Sequence, residues 1–369
     1  MVRLLLITPF TPDNQGRGIS PTSLLLAELS KEHCVDLVYF RYPEERPYVS
    51  DYENVHVLKE FIVTKWQKII GIIKHPLLFP LFTSRHNGEA VSFLREQVFK
   101  VKYDVIFFDF SQTFSYAAYL DHPNKILMSH DVIAQKYSRM KTYLRPWAIW
   151  TERRLLSNGT VVFTFSEKDC DLIHELYNVK SYSTTFFLHP NVINAEPKEE
   201  SNYFVFFGSW AREENSEALE WFMDNVYEHT SKEICFKVIG GGKMPDSLKQ
   251  KIIMKPNIEY LGFVEDPYPI IANARAEIAP LHMGAGVKVK CVQALATGTP
   301  ILGTEVAFEG IGEEYNGAMI KANSPEEYIK SISDFYYPIE SKKKLKRSFL
   351  NNYNNKAILR YINNSNIEK

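Results

Sequence analysis

Short runs of β-branched and aromatic residues alternate along this chain with longer segments of helical periodicity, and the alternation occurs twice. Continuous apolar runs of this kind fit strands that are buried on both faces of a parallel sheet. Because strand–helix alternation builds βαβ units, each series predicts a doubly wound sheet. The predicted strands are Leu4–Ile7, Val35–Phe40, Val55–Leu58, Val105–Phe108, Ile126–Met128, Val161–Phe165 and Thr184–Leu188, followed by Phe204–Phe207, Phe236–Ile239, Ile258–Leu261, Ala276–Ala279, Pro300–Leu302 and Ala318–Ile320.

A polar stretch with two prolines, residues 189–202, separates the two series and is typical of an interdomain linker. The length of 369 residues also fits two domains better than one. We therefore predict an α/β protein with two Rossmann-like, doubly wound parallel-sheet domains and a cleft between them. The first domain spans residues 1–190 and the second spans residues 200–335. We expect the basic helical segment 336–369 to pack back on the first domain.

The composition excludes several classes of protein. A formal net charge of −1 argues against nucleic-acid binding, which needs a basic excess. The four cysteines are scattered singly, which predicts buried free thiols in a reducing compartment and no metal site. The apolar run before Thr8 is too short for a signal-peptide core or a membrane span, so we expect a cytoplasmic protein.

A first glycine loop, Thr8 to Gly18, lies between a predicted strand and a helix that starts near Ser20 and Pro21. The backbone N–H groups of such a loop, here around Gly16, can bind an anion or a sugar hydroxyl. An ordinary tight turn is the alternative. The loop lacks the G-x-G-x-x-G spacing, so a dinucleotide site is not expected.

A second glycine loop, Gly284-Ala285-Gly286, follows a predicted strand and precedes a helix that starts near Val287. Loop and helix N-terminus together present unpaired N–H groups and the positive end of the helix dipole. Lys288 and Lys290 add formal charge where a cation is locally unfavourable, which indicates an anionic ligand. Two ordinary surface lysines on a solvated helix face are the alternative interpretation.

The second loop resembles the donor-binding motif of glycosyltransferase family 4: a glycine loop, a lysine, the donor helix and a small-Gly-x-Pro turn. Other segments resemble landmarks of that family in the same order, over roughly residues 3 to 335. They are His130-Asp131-Val132, Glu152-Arg153-Arg154, Ser166-Glu167-Lys168-Asp169, Phe206-Phe207-Gly208-Ser209-Trp210 with Asn215, and Val238-Ile239-Gly240-Gly241-Gly242.

The resemblance implies a retaining, metal-independent glycosyltransferase with two Rossmann-like domains (GT-B), which uses a nucleoside-diphosphate sugar as donor substrate and no cofactor. It assigns the donor phosphates to Lys290, Lys288 and Arg212, and the sugar to the loop from Gly284 to Val287. Of the two lysines, Lys290 is favoured because it lies three positions before Gln293 and shares nearly its helix face. Gly16 and Gly208 belong to the expected donor-binding glycines.

This chain departs from the family at the two positions where glutamates are usual, which hold Ala285 and Gln293. The second glutamate normally accepts from both ribose hydroxyls. Gln293 can still accept through its amide oxygen, although without charge. The loss of this charge leaves open a non-catalytic homologue.

Two further residues have a family role and an equally ordinary alternative. Arg212 follows a strand where a basic residue often reaches the donor diphosphate, and its planar fork suits phosphate oxygens. A surface arginine beside Glu213 and Glu214 is the alternative. His130 ends a predicted strand and is a candidate catalytic contact to the sugar, although a lone histidine is more often structural.

Residues 59–82 form an apolar segment with interspersed lysines. We assign Phe61, Ile62, Trp66, Ile69, Ile70 and Ile73 to one face of a helix. Such a helix can lie on an anionic membrane, at the inner face of the cell membrane for a cytoplasmic protein. Packing of the same face on the first sheet is the alternative.

The predicted function is therefore transfer of a sugar to a saccharide or lipid-linked acceptor in surface polysaccharide or glycoconjugate biosynthesis. The alternatives are a sugar-nucleotide epimerase of the same fold and a non-catalytic partner subunit of an active glycosyltransferase. An epimerase would need acid/base carboxylates facing the sugar, and the sequence shows no convincing pair.

Overall fold

The structure, a computed structural model, describes residues 1–12, 20–140, 142–198, 201–312, 315 and 317–365. The predicted donor residue Gly16 lies outside these residues. The strands are β1 (Arg3–Thr8), β2 (Cys34–Arg41), β3 (Val55–Ile62), β4 (Val105–Asp109), β5 (Lys125–Ser129), β6 (Val161–Thr164), β7 (Ser181–Ser183), β8 (Tyr203–Phe207), β9 (Cys235–Ile239), β10 (Ile258–Gly262), β11 (Glu277–Ala279), β12 (Ile301–Gly303) and β13 (Met319–Lys321).

Helices connect these strands in both halves of the chain. They are α1 (Pro21–Leu29), α2 (Lys65–Lys74), α3 (Pro80–Thr83), α4 (Gly88–Lys100), α5 (Ile133–Met140), α6 (Arg145–Leu156), α7 (Glu167–Tyr177), α8 (Pro190–Asn194), α9 (Glu213–Asn225), α10 (Asp246–Ile253), α11 (Tyr268–Asn273), α12 (Val289–Ala296), α13 (Pro325–Ser333), α14 (Ile339–Asn352) and α15 (Ala357–Asn364). Short 3₁₀ helices occupy Ser111–Tyr119, Thr142–Leu144 and Tyr227–His229. None of the helices in the described ranges is long and apolar enough to cross a membrane.

The chain divides into two compact units. The first contains the described residues up to Phe187 and those from Asn355 onward, and the second runs from Leu188 to Asn354. The first sheet has the order β3-β2-β1-β4-β5-β6-β7 and the second has the order β10-β9-β8-β11-β12-β13, with all registered pairs parallel. The prediction of two doubly wound parallel-sheet domains is therefore confirmed.

The seventh strand differs from the prediction, since it is Ser181–Ser183 and not Thr184–Leu188. The N–H of Thr185 donates to the carbonyl of Asn355 at 2.8 Å, and the Thr184 hydroxyl donates to the same oxygen at 3.0 Å. The Thr184 N–H still donates to the Thr164 carbonyl of β6 at 2.9 Å, but the Thr185 N–H turns to the segment before α15, so the strand ends at Ser183.

The return of the chain to the first unit begins at Asn355 and not at residue 336 as predicted. Helix α14 belongs to the second unit, where Lys342 is buried and its Nζ donates to the carbonyls of Ala272 and Ala274 at 2.5 and 2.6 Å. These carbonyls lie at the end of α11, so the lysine satisfies acceptors that the helix leaves open. Helix α15 packs on the first unit, with Ile358 and Ile362 buried in its core.

The cysteines are all free, but only Cys170 and Cys291 are buried as expected. Cys34 is half-buried and Cys235 is exposed, because each is the first residue of its strand and lies at the rim of a sheet.

Candidate active site

The second glycine loop has the conformation that a close approach of backbone N–H groups requires. Gly284 and Gly286 adopt φ of +107° and +65°, which side-chain-bearing residues rarely adopt. Helix α12 then begins at Val289, two residues later than the predicted start. Lys288 is therefore the residue before the helix, and only Lys290 lies in its first turn.

The two lysines of this loop have different partners. Lys288 Nζ donates to the carbonyl of Gly286 at 2.6 Å and lies 3.5 Å from a carboxylate oxygen of Glu309. Both of these side chains are largely buried. The charge of Lys288 is therefore balanced within the protein, and its side chain braces the glycine loop.

Lys290 instead donates to an uncharged group, the side-chain oxygen of Asn215, at 3.0 Å. Within the described ranges no carboxylate lies within ion-pair distance of its Nζ. The Asn215 amide donates in turn to the carbonyl of Ser209 at 3.0 Å, which fixes its orientation. Lys290 is thus held in one position while its charge remains unbalanced, which is the arrangement that an anionic ligand needs.

Gly208 contributes space to this arrangement. A Cβ at this position would lie 2.9 Å from the side-chain nitrogen of Asn215, closer than side chains tolerate. The glycine therefore lets α9 bring Asn215 against the end of β8, from which Asn215 reaches Lys290.

Gln293 is buried on the same helix, and its side-chain N–H donates to the hydroxyl of Tyr268 at 3.1 Å. Burial raises the pKa of Tyr268 to about 12, so the phenol stays protonated at neutral pH. The amide oxygen of Gln293 remains to accept from a ligand.

Arg212 lies just before α9 with its side chain largely exposed, 71% by area. Its only ion pair in the described part of the chain is a 3.9 Å approach to Glu214. An exposed pair of this kind contributes little energy, so the guanidinium can reorient without large cost. Its assignment to the diphosphate stays a prediction.

His130 lies in the first unit directly after β5, and its imidazole is held in one orientation. Its Nε2 lies 2.6 Å from a carboxylate oxygen of Asp109, a buried residue at the end of β4. The other Asp109 oxygen accepts from the hydroxyls of Thr8 and Thr22 at 3.1 and 2.6 Å. Asp109 therefore accepts from the imidazole, which puts a proton on Nε2 and leaves Nδ1 for a ligand.

Two aromatic rings contact the same imidazole. The ring of Phe110 stacks on His130 with centroids 3.4 Å apart, and Phe165 meets it edge-on at 4.9 Å. Phe110 has a φ of +60°, an unfavourable conformation for a residue with a side chain. Together with Pro21 and Thr22, His130 and Asp109 line a small pocket in the first unit.

Glu152 positions the helix that follows His130. Its buried carboxylate accepts from the N–H groups of Ile133 and Ala134 at 3.0 and 3.1 Å, at the start of α5, and from the hydroxyl of Tyr177. Burial is the dominant influence and raises the pKa of Glu152 to about 7. Sequence reasoning identified Glu152 as a landmark, and the structure adds that its contacts are structural.

Several partners in this site could not be found from the sequence alone. Asp109, Tyr268 and Glu309 lie far along the chain from the residues they contact. Asn215 was noted as a landmark, but its bond to a lysine 75 positions later carries no local signal. Across the described ranges, no group of three or more His, Cys, Asp or Glu side chains is arranged to hold a metal ion.

Comparison with known proteins shows that the fold occurs in solved structures. Solved structures that share the fold include sucrose-phosphate synthase from Thermosynechococcus elongatus, with a TM-score of 0.71, 11% identity and coverage of 99% of this chain and 98% of that one. TarM from S. aureus, in complex with UDP, has a TM-score of 0.69, 11% identity and 99% coverage of both chains. The fold is thus that of the GT-B glycosyltransferases.

The family model described as "Glycosyl transferases group 1" matches residues 201–337, which include β8, the glycine loop and α12. The second unit thus resembles this family in sequence, and the whole chain shares the GT-B fold. A curated relative from Klebsiella pneumoniae, an uncharacterized 44.6 kDa protein in the cps region, is 23% identical over 376 residues and covers 94% of each chain.

Proposed function

We propose that the protein transfers a sugar from a nucleoside-diphosphate sugar, bound by the second unit, to a saccharide or lipid-linked acceptor bound by the first. The observation that carries this proposal is Lys290, an oriented lysine without a balancing carboxylate in the first turn of α12. TarM, which shares the fold, was solved with UDP and α-GlcNAc-glycerol.

In this reaction the bond between the anomeric carbon and the diphosphate breaks while the acceptor oxygen bonds to that carbon. The acceptor proton passes to the leaving diphosphate, so no protein base is required. Negative charge develops on the diphosphate, and Lys290, Arg212 and the N–H groups at the start of α12 stabilise it. We assign the sugar to the loop Gly284–Gly286, to Val287 and to Nδ1 of His130.

We further propose retention of anomeric configuration and independence from divalent metal, since lysine and arginine supply the charge that a metal would otherwise supply. A transfer rate unchanged by EDTA and by added Mg²⁺ is expected. Loss of the rate in EDTA and its recovery with Mg²⁺ would contradict the metal-independent mechanism.

A thermal-shift panel of UDP-, GDP-, ADP- and dTDP-sugars tests the donor assignment. A donor present at 100 times its dissociation constant stabilises the folded protein by about 2.7 kcal/mol. We expect the sugars of one nucleobase to raise the melting temperature more than those of the other three. If one donor binds but the purified chain never hydrolyses or transfers its sugar, the partner-subunit alternative replaces the catalytic one.

Replacing Gln293 by glutamate should tighten nucleotide binding several-fold. A carboxylate accepts stronger hydrogen bonds from paired ribose hydroxyls than an amide does. Tyr268 can adapt, because its protonated hydroxyl accepts from Gln293 but can donate to a glutamate. Calorimetry with the preferred nucleoside diphosphate measures the change. Weaker binding in the Gln293→Glu variant would show that the pocket is built around the amide.

We place the reaction in surface polysaccharide biosynthesis, because the Klebsiella relative is named from a cps region, which points to capsule formation. The test is an acceptor panel with the preferred donor, comparing free saccharides with the same saccharides linked to a lipid phosphate. Transfer to soluble metabolites alone would contradict this placement.

We also propose that helix α2 contacts the membrane. The helix begins at Lys65, after Thr64, whose side chain forms a capping box with Gln67. Phe61 and Ile62 therefore belong to β3 and not to this helix as predicted, and Phe61 is buried in the core. The remaining apolar residues are exposed: Trp66 at 74%, Ile69 at 44%, Ile70 at 46%, Ile73 at 70% and, beyond the helix, Leu77 at 68%.

The lysines of the same helix make it a basic amphipathic surface, which suits anionic lipid. Liposome flotation should recover the protein with vesicles that contain anionic lipid, and less with neutral vesicles. Ile73→Glu should abolish flotation, whereas Ile253→Glu, at an exposed isoleucine of the second unit, should not. Equal loss in both variants, or no bound fraction with either lipid, would refute membrane contact.

A further inference from the structure

Three side chains converge in the first unit at the carboxyl ends of β1 and β2. We call Tyr42, Lys68 and Arg85 the basic cluster. Arg85 donates to the Tyr42 hydroxyl oxygen at 3.0 Å, and Lys68 Nζ donates to the same oxygen at 3.2 Å. Both cations also lie over the Tyr42 ring, 5.0 and 4.5 Å from its centroid.

The basic cluster lacks the carboxylate that a buried arginine usually has. Arg85 is only 5% exposed, and in the described part of the chain neither Arg85 nor Lys68 forms an ion pair. The nearby carboxylates have other partners. Glu45 accepts from the Tyr42 N–H and the Thr11 hydroxyl, and Glu60 binds Arg41.

The pKa values of two titratable side chains, Tyr42 and His86, reflect burial and the positive charge of this region. Burial alone would raise the pKa of Tyr42, but Arg85 and Lys68 lower it below its ordinary value. His86, which follows Arg85, has its pKa lowered to about 4 by burial first and then by His75 and Lys74. It is therefore neutral at pH 7 and adds no charge to the basic cluster.

The basic cluster retains hydrogen-bond donors for a ligand. Arg85 uses Nε for the carbonyl of Pro9 and one terminal nitrogen for Tyr42, which leaves the other terminal nitrogen. Lys68 has two further protons. The Tyr42 oxygen accepts from both cations, so its own proton is directed elsewhere. Three donors around two unbalanced charges match the oxygens of a phosphate group.

The position of the basic cluster indicates which kind of phosphate-bearing ligand it binds. The carboxyl ends of the strands are the edge at which open α/β sheets bind their ligands, and Pro9 and Tyr42 directly follow β1 and β2 there. Lys68 belongs to α2, whose exposed apolar residues include Ile69 and Ile73. A ligand with both a phosphate and a lipid chain would therefore contact the same helix twice.

We propose that the basic cluster binds the phosphate or diphosphate group of a lipid-linked saccharide acceptor. This inference rests on the proposed function and narrows the acceptor to one that carries a phosphate next to its lipid. The apolar face of α2 contacts the bilayer that holds the lipid, and the basic cluster holds the headgroup.

Titration calorimetry with inorganic pyrophosphate tests the phosphate contact directly. All variants are made in a Lys290→Ala background, which weakens pyrophosphate binding by the second unit equally in each of them. Lys68→Gln should weaken binding at least about tenfold, the scale of one hydrogen bond to a charged group. Tyr42→Phe should weaken it several-fold. The matched control is Lys65→Gln, which removes the same charge from an exposed position one turn earlier on α2 and should have little effect.

Vesicle binding separates a lipid-linked phosphate from a free one. Phosphatidylcholine vesicles doped with a long-chain prenyl diphosphate are compared with vesicles brought to the same surface charge by phosphatidylglycerol. We expect Lys68→Gln to reduce binding to the prenyl diphosphate vesicles far more than Lys65→Gln does, and both to have equal effects with phosphatidylglycerol.

Equal effects of Lys68→Gln and Lys65→Gln on pyrophosphate would overturn the proposal, because only general charge would then be involved. A selective effect on pyrophosphate without one on prenyl diphosphate vesicles would overturn the lipid-linked assignment. Neither measurement needs a sugar donor. If both measurements give the expected results but the wild-type protein binds no nucleoside-diphosphate sugar, the proposed function is contradicted and the phosphate site is not.

Discussion

Replacing Lys290 by alanine should lower the rate of sugar transfer by roughly 100-fold or more, the scale seen when one charge-stabilising donor is removed from an active site. The expected effect on the rate is large because the only polar partner of Lys290 among the described residues is the neutral amide of Asn215. Its charge therefore remains available to the leaving diphosphate. Steady-state kinetics with the donor found by thermal shift measures the effect.

Lys288→Ala is the matched control for this prediction. Lys288 is paired with Glu309 and bonded to the Gly286 carbonyl, so its loss should loosen the glycine loop and reduce the rate much less. The melting temperature of Lys290→Ala should hardly move, because removing a cation from the first helical turn relieves an unfavourable interaction with the dipole. Full activity in both variants, with unchanged donor affinity, would remove the electrostatic basis of the mechanism.

The folded protein should lose stability as pH rises from about 6.5 to about 8, and Glu277 should be a principal cause. Glu277 is fully buried at the start of β11, and neither carboxylate oxygen has a hydrogen-bond partner among the described residues. Burial raises its pKa to about 8, although Lys290 opposes the shift. The side chain is therefore a neutral acid at neutral pH.

Because the folded state holds this proton more tightly than the unfolded state, its stabilising effect is complete below the ordinary pKa of 4.5 and is lost above about 8. The contribution of Glu277 that is lost over this whole range is on the order of 3–5 kcal/mol. Below about pH 6.5 the lowered pKa of His86 opposes the loss, so the net decline is expected above that pH. Glu277→Gln copies the neutral acid without a titrating proton, so chemical denaturation of this variant should show no decline above about pH 7. Glu152, whose pKa is raised to about 7, still contributes below that pH.

The exposed Glu305→Gln substitution is the control and should leave the pH profile as it is in the wild type. A Glu277→Gln variant whose unfolding free energy falls with pH as steeply as that of the wild type would show that Glu277 is ionised in the folded protein.

The two sheets could be predicted from the sequence because their strands are buried on both faces. Strands such as Leu4–Ile7 and Phe204–Phe207 must then be apolar without interruption, and such a run can be recognised in the sequence itself. The edge strand β7 was misplaced because its pairing is decided by Asn355, which bonds Ser183 and Thr184 from the far end of the chain. Local sequence contains no record of such a partner.

The candidate site was predictable to the same extent. The glycine loop and its lysines are contiguous, so their association with a helix start could be inferred from order alone. The different roles of Lys288 and Lys290 depend on Glu309 and Asn215, which come from other loops and helices. The start of α2 was misjudged because Phe61 and Ile62 continue the helical spacing, while the capping box at Thr64 sets the actual beginning.

The return of α15 to the first unit has a consequence for the order in which the protein matures on the ribosome. Ile358 and Ile362 fill a core with Leu4, Leu26 and Tyr39, yet they are synthesised after the whole second unit. Domains usually fold in the order of synthesis. Here the first unit emerges first, but part of its apolar surface stays uncovered until α15 leaves the exit tunnel. The second unit has all its segments earlier and becomes the first to complete its native core.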